Sequence, residues 1–97
     1  MKIIARPKLI AFGERFPDAK VQLDVWWAEA RRAKWKTPAD IKAQYRNASI
    51  LKGGRVVFNI CGNKYRLILR FDYEKGIGLV RFLGTHKEYD KINAEEV

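Results

Sequence analysis

At 97 residues the chain has room for one modest core and no second domain. Its 20 lysines and arginines against 11 acidic groups give a formal charge of +9, which points to a polyanion or an acidic protein as partner. One cysteine and one histidine exclude an internal disulfide and a thiolate-rich or histidine-paired metal site; neither end reads as a leader or a membrane span, so a cytoplasmic location without membrane contact is expected.

In chain order, residues 2–5 suggest a short strand. Leu9, Phe12 and Phe16 then recur at helical spacing until Pro17-Asp18 interrupts, with Asp18 placed to cap a second helix. That helix carries the stripe Leu23, Trp26, Trp27, Ala30 and Ala33, and Arg31, Arg32 and Lys34 sit near its C-terminus, where cations suit the helix dipole. The two tryptophans read as core. Thr37-Pro38-Ala39-Asp40 resembles a capping box with proline at the first helical position, so a third helix runs to about Gln44.

The period then changes from helical to alternating. Residues 55–60 form a strand, Cys61-Gly62-Asn63 a hairpin turn, and the pattern leaves open whether residues 49–51 form a strand of their own. In the next strand Tyr65, Leu67, Leu69, Phe71 and Tyr73 share one face, and Lys64, Arg66, Ile68, Arg70 and Asp72 the other. The last strand spans Ile77 to Leu83. If Val80 and Phe82 join the Tyr65/Leu67/Leu69 face, Arg81 falls on the open face with Arg66 and Arg70. The expected architecture is α+β: two to three N-terminal helices packed on one face of an antiparallel sheet, with a cationic face left open.

The charge surplus is spread over this body and is not a tail. Residues 1–36 carry nine basic against four acidic groups, residues 37–75 eight against three, and residues 76–97 three against four. A folded surface for phosphates fits this pattern better than a disordered arm.

His86 follows the last strand in Gly84-Thr85-His86-Lys87-Glu88-Tyr89-Asp90 and is the one side chain type here that ordinarily titrates near neutrality. RNA cleavage by internal transfer needs a base for the 2′-hydroxyl, an acid for the leaving oxygen and positive charge on the phosphate, with no metal or cofactor. His86 can serve as base or acid, and Arg66 with Lys64 can hold the phosphate. Tyr89 can stack on or orient a base. Lys87, Arg81, Arg70 and Arg55 are further candidates for RNA phosphates. A serine triad, a glycine-rich phosphate loop and a metal-binding histidine pair are all missing from the sequence.

The segments Thr37–Arg46, Ser49–Lys52, Arg55–Ile60, Gly62–Ile68 and Gly84–Ile92 together resemble the HigB-type messenger-RNA interferase toxins of the RelE/ParE superfamily. The resemblance covers nearly the whole chain and makes residues 1–97 a single toxin domain. It implies a type II toxin that cleaves messenger RNA, generally on the ribosome. It also implies silencing by a HigA-type antitoxin with a helix-turn-helix domain, in a complex that becomes a higher-order oligomer through the antitoxin. The superfamily's activity maps onto Arg66, in the Tyr-Arg-Leu strand, and onto His86 and Tyr89 after the last strand. Relatives differ in their base, and Lys64 is the alternative here. One branch of the same fold inhibits DNA gyrase without RNase chemistry, and a plain nucleic-acid-binding module is the third reading.

Overall fold

The computed structural model describes all residues 1–97. The elements run β1 (Lys2–Ile4), α1 (Arg6–Arg15), α2 (Pro17–Arg32), α3 (Pro38–Gln44), β2 (Ser49–Ile50), β3 (Arg55–Ile60), β4 (Tyr65–Asp72), β5 (Ile77–Thr85) and α4 (His86–Tyr89). The five strands form one open sheet in the order β1-β5-β4-β3-β2, so the α+β architecture of helices on a mostly antiparallel sheet holds. It is not antiparallel throughout, because β1 returns to the sheet edge parallel to β5, pairing Lys2 with Ile77 and Ile4 with Leu79.

The break between α1 and α2 falls where proline demands it. Phe16 precedes Pro17 and is forced out of helical geometry to φ −124° and ψ 84°, ending α1 and serving as N-cap of α2. Asp18 is therefore inside the first turn and does not cap the helix as expected; proline occupies the first position, and the Asp18 carboxylate is turned to β4 instead. The third helix matches its signal. Thr37 accepts from the Asp40 amide, and the Asp40 side chain accepts from the Thr37 amide.

One apolar core lies between α1–α3 and the sheet. Leu9 and Phe12 of α1 and Leu23, Trp26 and Ala30 of α2 pack on Phe58, Leu67, Leu69, Phe71 and Val80. Trp26 meets Phe58 edge-on, with ring centroids 5.2 Å apart. Each leucine, phenylalanine or valine among them stabilises the fold by about 1.5–3 kcal/mol on removal from water, before entropy is counted. Trp27 is only half-buried and stands outside this core's centre, with Arg6 and Arg31 guanidiniums over its ring at 4.1 and 4.8 Å.

The second face of the sheet is less open than its alternation implies. A bulge between β4 and β5 pairs Ile68 with Phe82 but Leu69 with Val80. Val80 thus faces the core and Phe82 the opposite side, so the condition that would set Arg81 beside Arg66 and Arg70 fails. Arg81, the extra residue, joins Lys8, Ala11 and Arg15 in lining a cleft against α1. On the second face Val57 and Ile68 are buried, Phe82 packs near Tyr89 of α4 at 6.4 Å, and Arg55 Nε donates to the Val97 carbonyl at 2.7 Å. The chain after β5 therefore folds back across this face.

Candidate active site

The candidate residues come together where β4 begins and β5 ends. Register places Arg66 opposite Gly84 and Tyr65 opposite Thr85, so the residues that follow Thr85 start beside Arg66. The His86 amide donates to the Lys64 carbonyl at 2.8 Å, which fixes α4 to the β3–β4 hairpin. Thr85 opens α4 with a second capping box: its hydroxyl accepts from the Glu88 amide at 3.1 Å, and Glu88 Oε1 accepts from the Thr85 amide at 2.9 Å. Those bonds to Thr85 hold the Glu88 carboxyl below the usual range. A Cβ at Gly84 would lie 2.7 Å from the far end of the Phe82 ring, so a side chain there would push aside the ring that packs near Tyr89.

One turn of helix then sorts the functional groups. Residues three and four apart share a helix face, so His86 is grouped with Tyr89 and Asp90. His86 Nδ1 lies 3.1 Å from Asp90 Oδ2, and Nε2 has no partner in the chain. The two side chains are both exposed and in ion-pair range without the alignment of a hydrogen bond; an Nδ1–H turned onto this carboxylate would leave the Nε2 lone pair free, the arrangement a base requires. Arg66 Cζ stands 5.5 Å from the Tyr89 ring centroid, a cation-π contact linking strand to helix.

Arg66 is also held from the hairpin. Its Nη1 donates to the carbonyls of Asn63 at 3.1 Å and Tyr65 at 3.3 Å, and Nη2 to Asn63 Oδ1 at 3.4 Å. The turn itself is pinned to α2. Cys61 and Gly62 adopt φ of +54° and +65°, and the Cys61 amide donates to Gln22 Oε1 at 2.7 Å while its thiol donates to the Asp18 carbonyl at 3.2 Å. Asn63, Gln22 and Asp90 thus shape the site without having stood out in the sequence. Only Asp90 had a local signal, through the Thr85-x-x-Glu88 box that makes it His86's neighbour.

Not every candidate is gathered here. Lys64 turns away, its ammonium 3.0 Å from Asp18 Oδ2, and Asp18 keeps it charged above the ordinary lysine range, which disfavours a basic role. Asp18 also accepts from the Tyr65 hydroxyl at 2.7 Å, and the bonds from Tyr65 and Lys64 depress its carboxyl. Lys87 is exposed on α4. Arg55 and Arg70 are paired across β3 and β4 on the same face as Arg66, but four residues further along the strand, about 13 Å away. The largest cleft, of about 600 Å³, is not at His86; it lies between α2, the Tyr45–Ala48 segment and β3, and borders the site at Gln22, Gly62 and Asn63.

The helices laid on an open, mostly antiparallel five-stranded sheet agree with a RelE-like fold. Residues 19–92 match the family described as HigB toxin, the RelE-like toxic component of a toxin-antitoxin system, and the chain belongs to that family. It is 28% identical over 96 residues to the mRNA interferase toxin HigB of Escherichia coli (strain K12), a match covering 97% of this chain and 92% of that protein. The mRNA interferase HigB proteins of Escherichia coli O157:H7 and Shigella flexneri match to the same extent. No helix is long and apolar enough to cross a membrane.

Proposed function

We propose that this toxin is a metal-independent endoribonuclease that cuts messenger RNA during translation in the cytoplasm and is silenced by a HigA-type antitoxin, in a complex oligomerised through that antitoxin. The observation that carries this reading is the His86–Asp90 pair beside Arg66 and Tyr89. The names of the relatives support the reaction class, and the +9 charge supports a polyanionic substrate.

In the proposed step His86 Nε2 takes the proton of the 2′-hydroxyl and the 2′-oxygen attacks phosphorus. The bond from phosphorus to the 5′-oxygen breaks, and that oxygen leaves with a proton from water. The products are a 2′,3′-cyclic phosphate and a 5′-hydroxyl end. Arg66 neutralises charge rising on the phosphoryl oxygens, and Tyr89 orients the base next to the cut. Asp90 is a positioning residue, holding the imidazole. Messages translated with enzyme pre-treated with EDTA, in normal ribosomal magnesium, should be cut by the native chain and spared by His86→Ala. Intact messages with growth still arrested would overturn the reading.

A further inference from the structure

The surplus charge of the first 36 residues does not sit at the candidate active site. There Lys64 is paired with Asp18, and Glu88 and Asp90 offset the cations of α4. The other ion pairs join Arg6 and Lys20 to Asp24. None of them uses Lys2, Lys34, Lys36 or Lys75. These four lysines, all exposed, line one hollow of about 410 Å³ where the segment after α2 meets the β4–β5 turn, and Glu74 is the only acid in its wall. The hydroxyl of Tyr73, also in that wall, is buried without a hydrogen-bond partner.

A second hollow of about 430 Å³ shares Met1 and Lys2 with the first and adds Arg6, Arg31 and Trp27. Both guanidiniums lie over the Trp27 ring. Stacking on the indole keeps each planar and pre-ordered, with N–H groups left for oxygen acceptors. Five cations without an acidic partner, together with Arg6, whose charge is shared with Asp24, thus surround two adjoining hollows, an arrangement whose mutual repulsion is relieved by a chain of phosphates better than by a single anion. A protein partner is disfavoured by composition. Interface centres are apolar and poor in lysine, whereas the exposed large apolar residues Ile4, Ile10, Val21, Val25 and Ile50 line neither hollow.

The patch is remote from the cutting site. β4 leads from Tyr65, beside Arg66, to Asp72 and then Tyr73, a run of about 25 Å at the usual rise of a strand. We infer that the Lys2/Lys34/Lys36/Lys75 hollow and the adjoining Arg6/Arg31 pair form a second RNA site, which grips the backbone of a folded RNA while the His86 end meets the strand to be cut. This rests on the reading of the chain as an RNA-cleaving toxin, and it adds a docking surface built from phosphate contacts with no base readout.

The test compares the full chain with Lys34→Glu/Lys36→Glu/Lys75→Glu, and with Arg32→Glu/Arg46→Glu/Lys52→Glu as an equal charge change elsewhere. Binding of a labelled RNA duplex of about 20 base pairs is titrated between about 50 and 200 mM salt. Each lost phosphate contact lowers the slope of log affinity against log salt by about 0.7–0.9, so the patch variant should lose about two units and more than about tenfold in affinity. The control triple should lose less than half of that. Equal losses in both triples, or none in the patch variant, overturn the site, as does loss of antitoxin binding with duplex binding intact. Cleavage of translated message by the native chain is scored separately. Cleavage with patch-independent duplex binding removes this inference alone; patch-dependent binding without cleavage removes the catalytic reading and keeps the RNA site.

Discussion

Among single residues, the proposed chemistry depends most on the His86 imidazole and the Asp90 carboxylate beside it. His86→Ala should lower message cleavage by at least about 100-fold with the fold intact, because general acid-base groups contribute 10²–10⁴. Asp90→Asn should lower the maximal rate by at least about tenfold while substrate affinity changes little, since it alters which nitrogen carries the proton and not what touches RNA; an unchanged rate would remove the orienting role. Acid should act on a different pair. The folded pKa of Asp18 is depressed, so its contribution to stability is full above the ordinary carboxylate pKa near 3.8 and is lost as pH falls through the lower folded value. Melting of Asp18→Asn against the native chain should show a gap at pH 7 that closes only in strong acid. That Arg66 and His86 lie at one end of the sheet was legible, because strand alternation and the position of a lone titratable side chain after the last strand are local signals. Asn63 and Gln22 act through a turn and a helix that only the fold brings into contact, and no local pattern encodes that.

At the scale of elements, two features decide what the strands present. Thr85-His86-Lys87-Glu88 carries the same capping signal as Thr37–Asp40, yet a four-residue helix has no apolar period to reveal it. Its box is what sets Asp90 beside His86. Thr85→Ala should cost about 1 kcal/mol in a denaturant melt, and it should reduce cleavage more than that stability loss accounts for, since it loosens α4. The bulge at Arg81 is the opposite case. Alternation predicts faces only while pairing stays one to one, and a single extra residue sends every later side chain to the other face. Nothing in Val80-Arg81-Phe82 marks which residue will be unpaired, so the expected row of three arginines becomes Arg66 and Arg70 with Arg55, while Arg81 turns to α1.

At the scale of the whole molecule, composition and period were enough for the α+β class, because helical stripes and alternating strands each bury one face on a common core. The parallel return of β1 and the folding of the last residues over the second face depend on long-range pairing and escape such patterns. Phe58, in contact with aromatic side chains from α2, β4 and the loops around α3, is central to that core; Phe58→Ala should cost about 3–5 kcal/mol in a denaturant melt. Cleavage of translated messages through His86 is tested by a nucleotide-resolution map of message ends after induction of the native chain and of His86→Ala at equal abundance. The native chain should give discrete new 5′-hydroxyl ends inside translated reading frames, and the variant should lose nearly all of them. Growth arrest with messages intact, or the same cuts at the same frequency in His86→Ala, would contradict cleavage through His86.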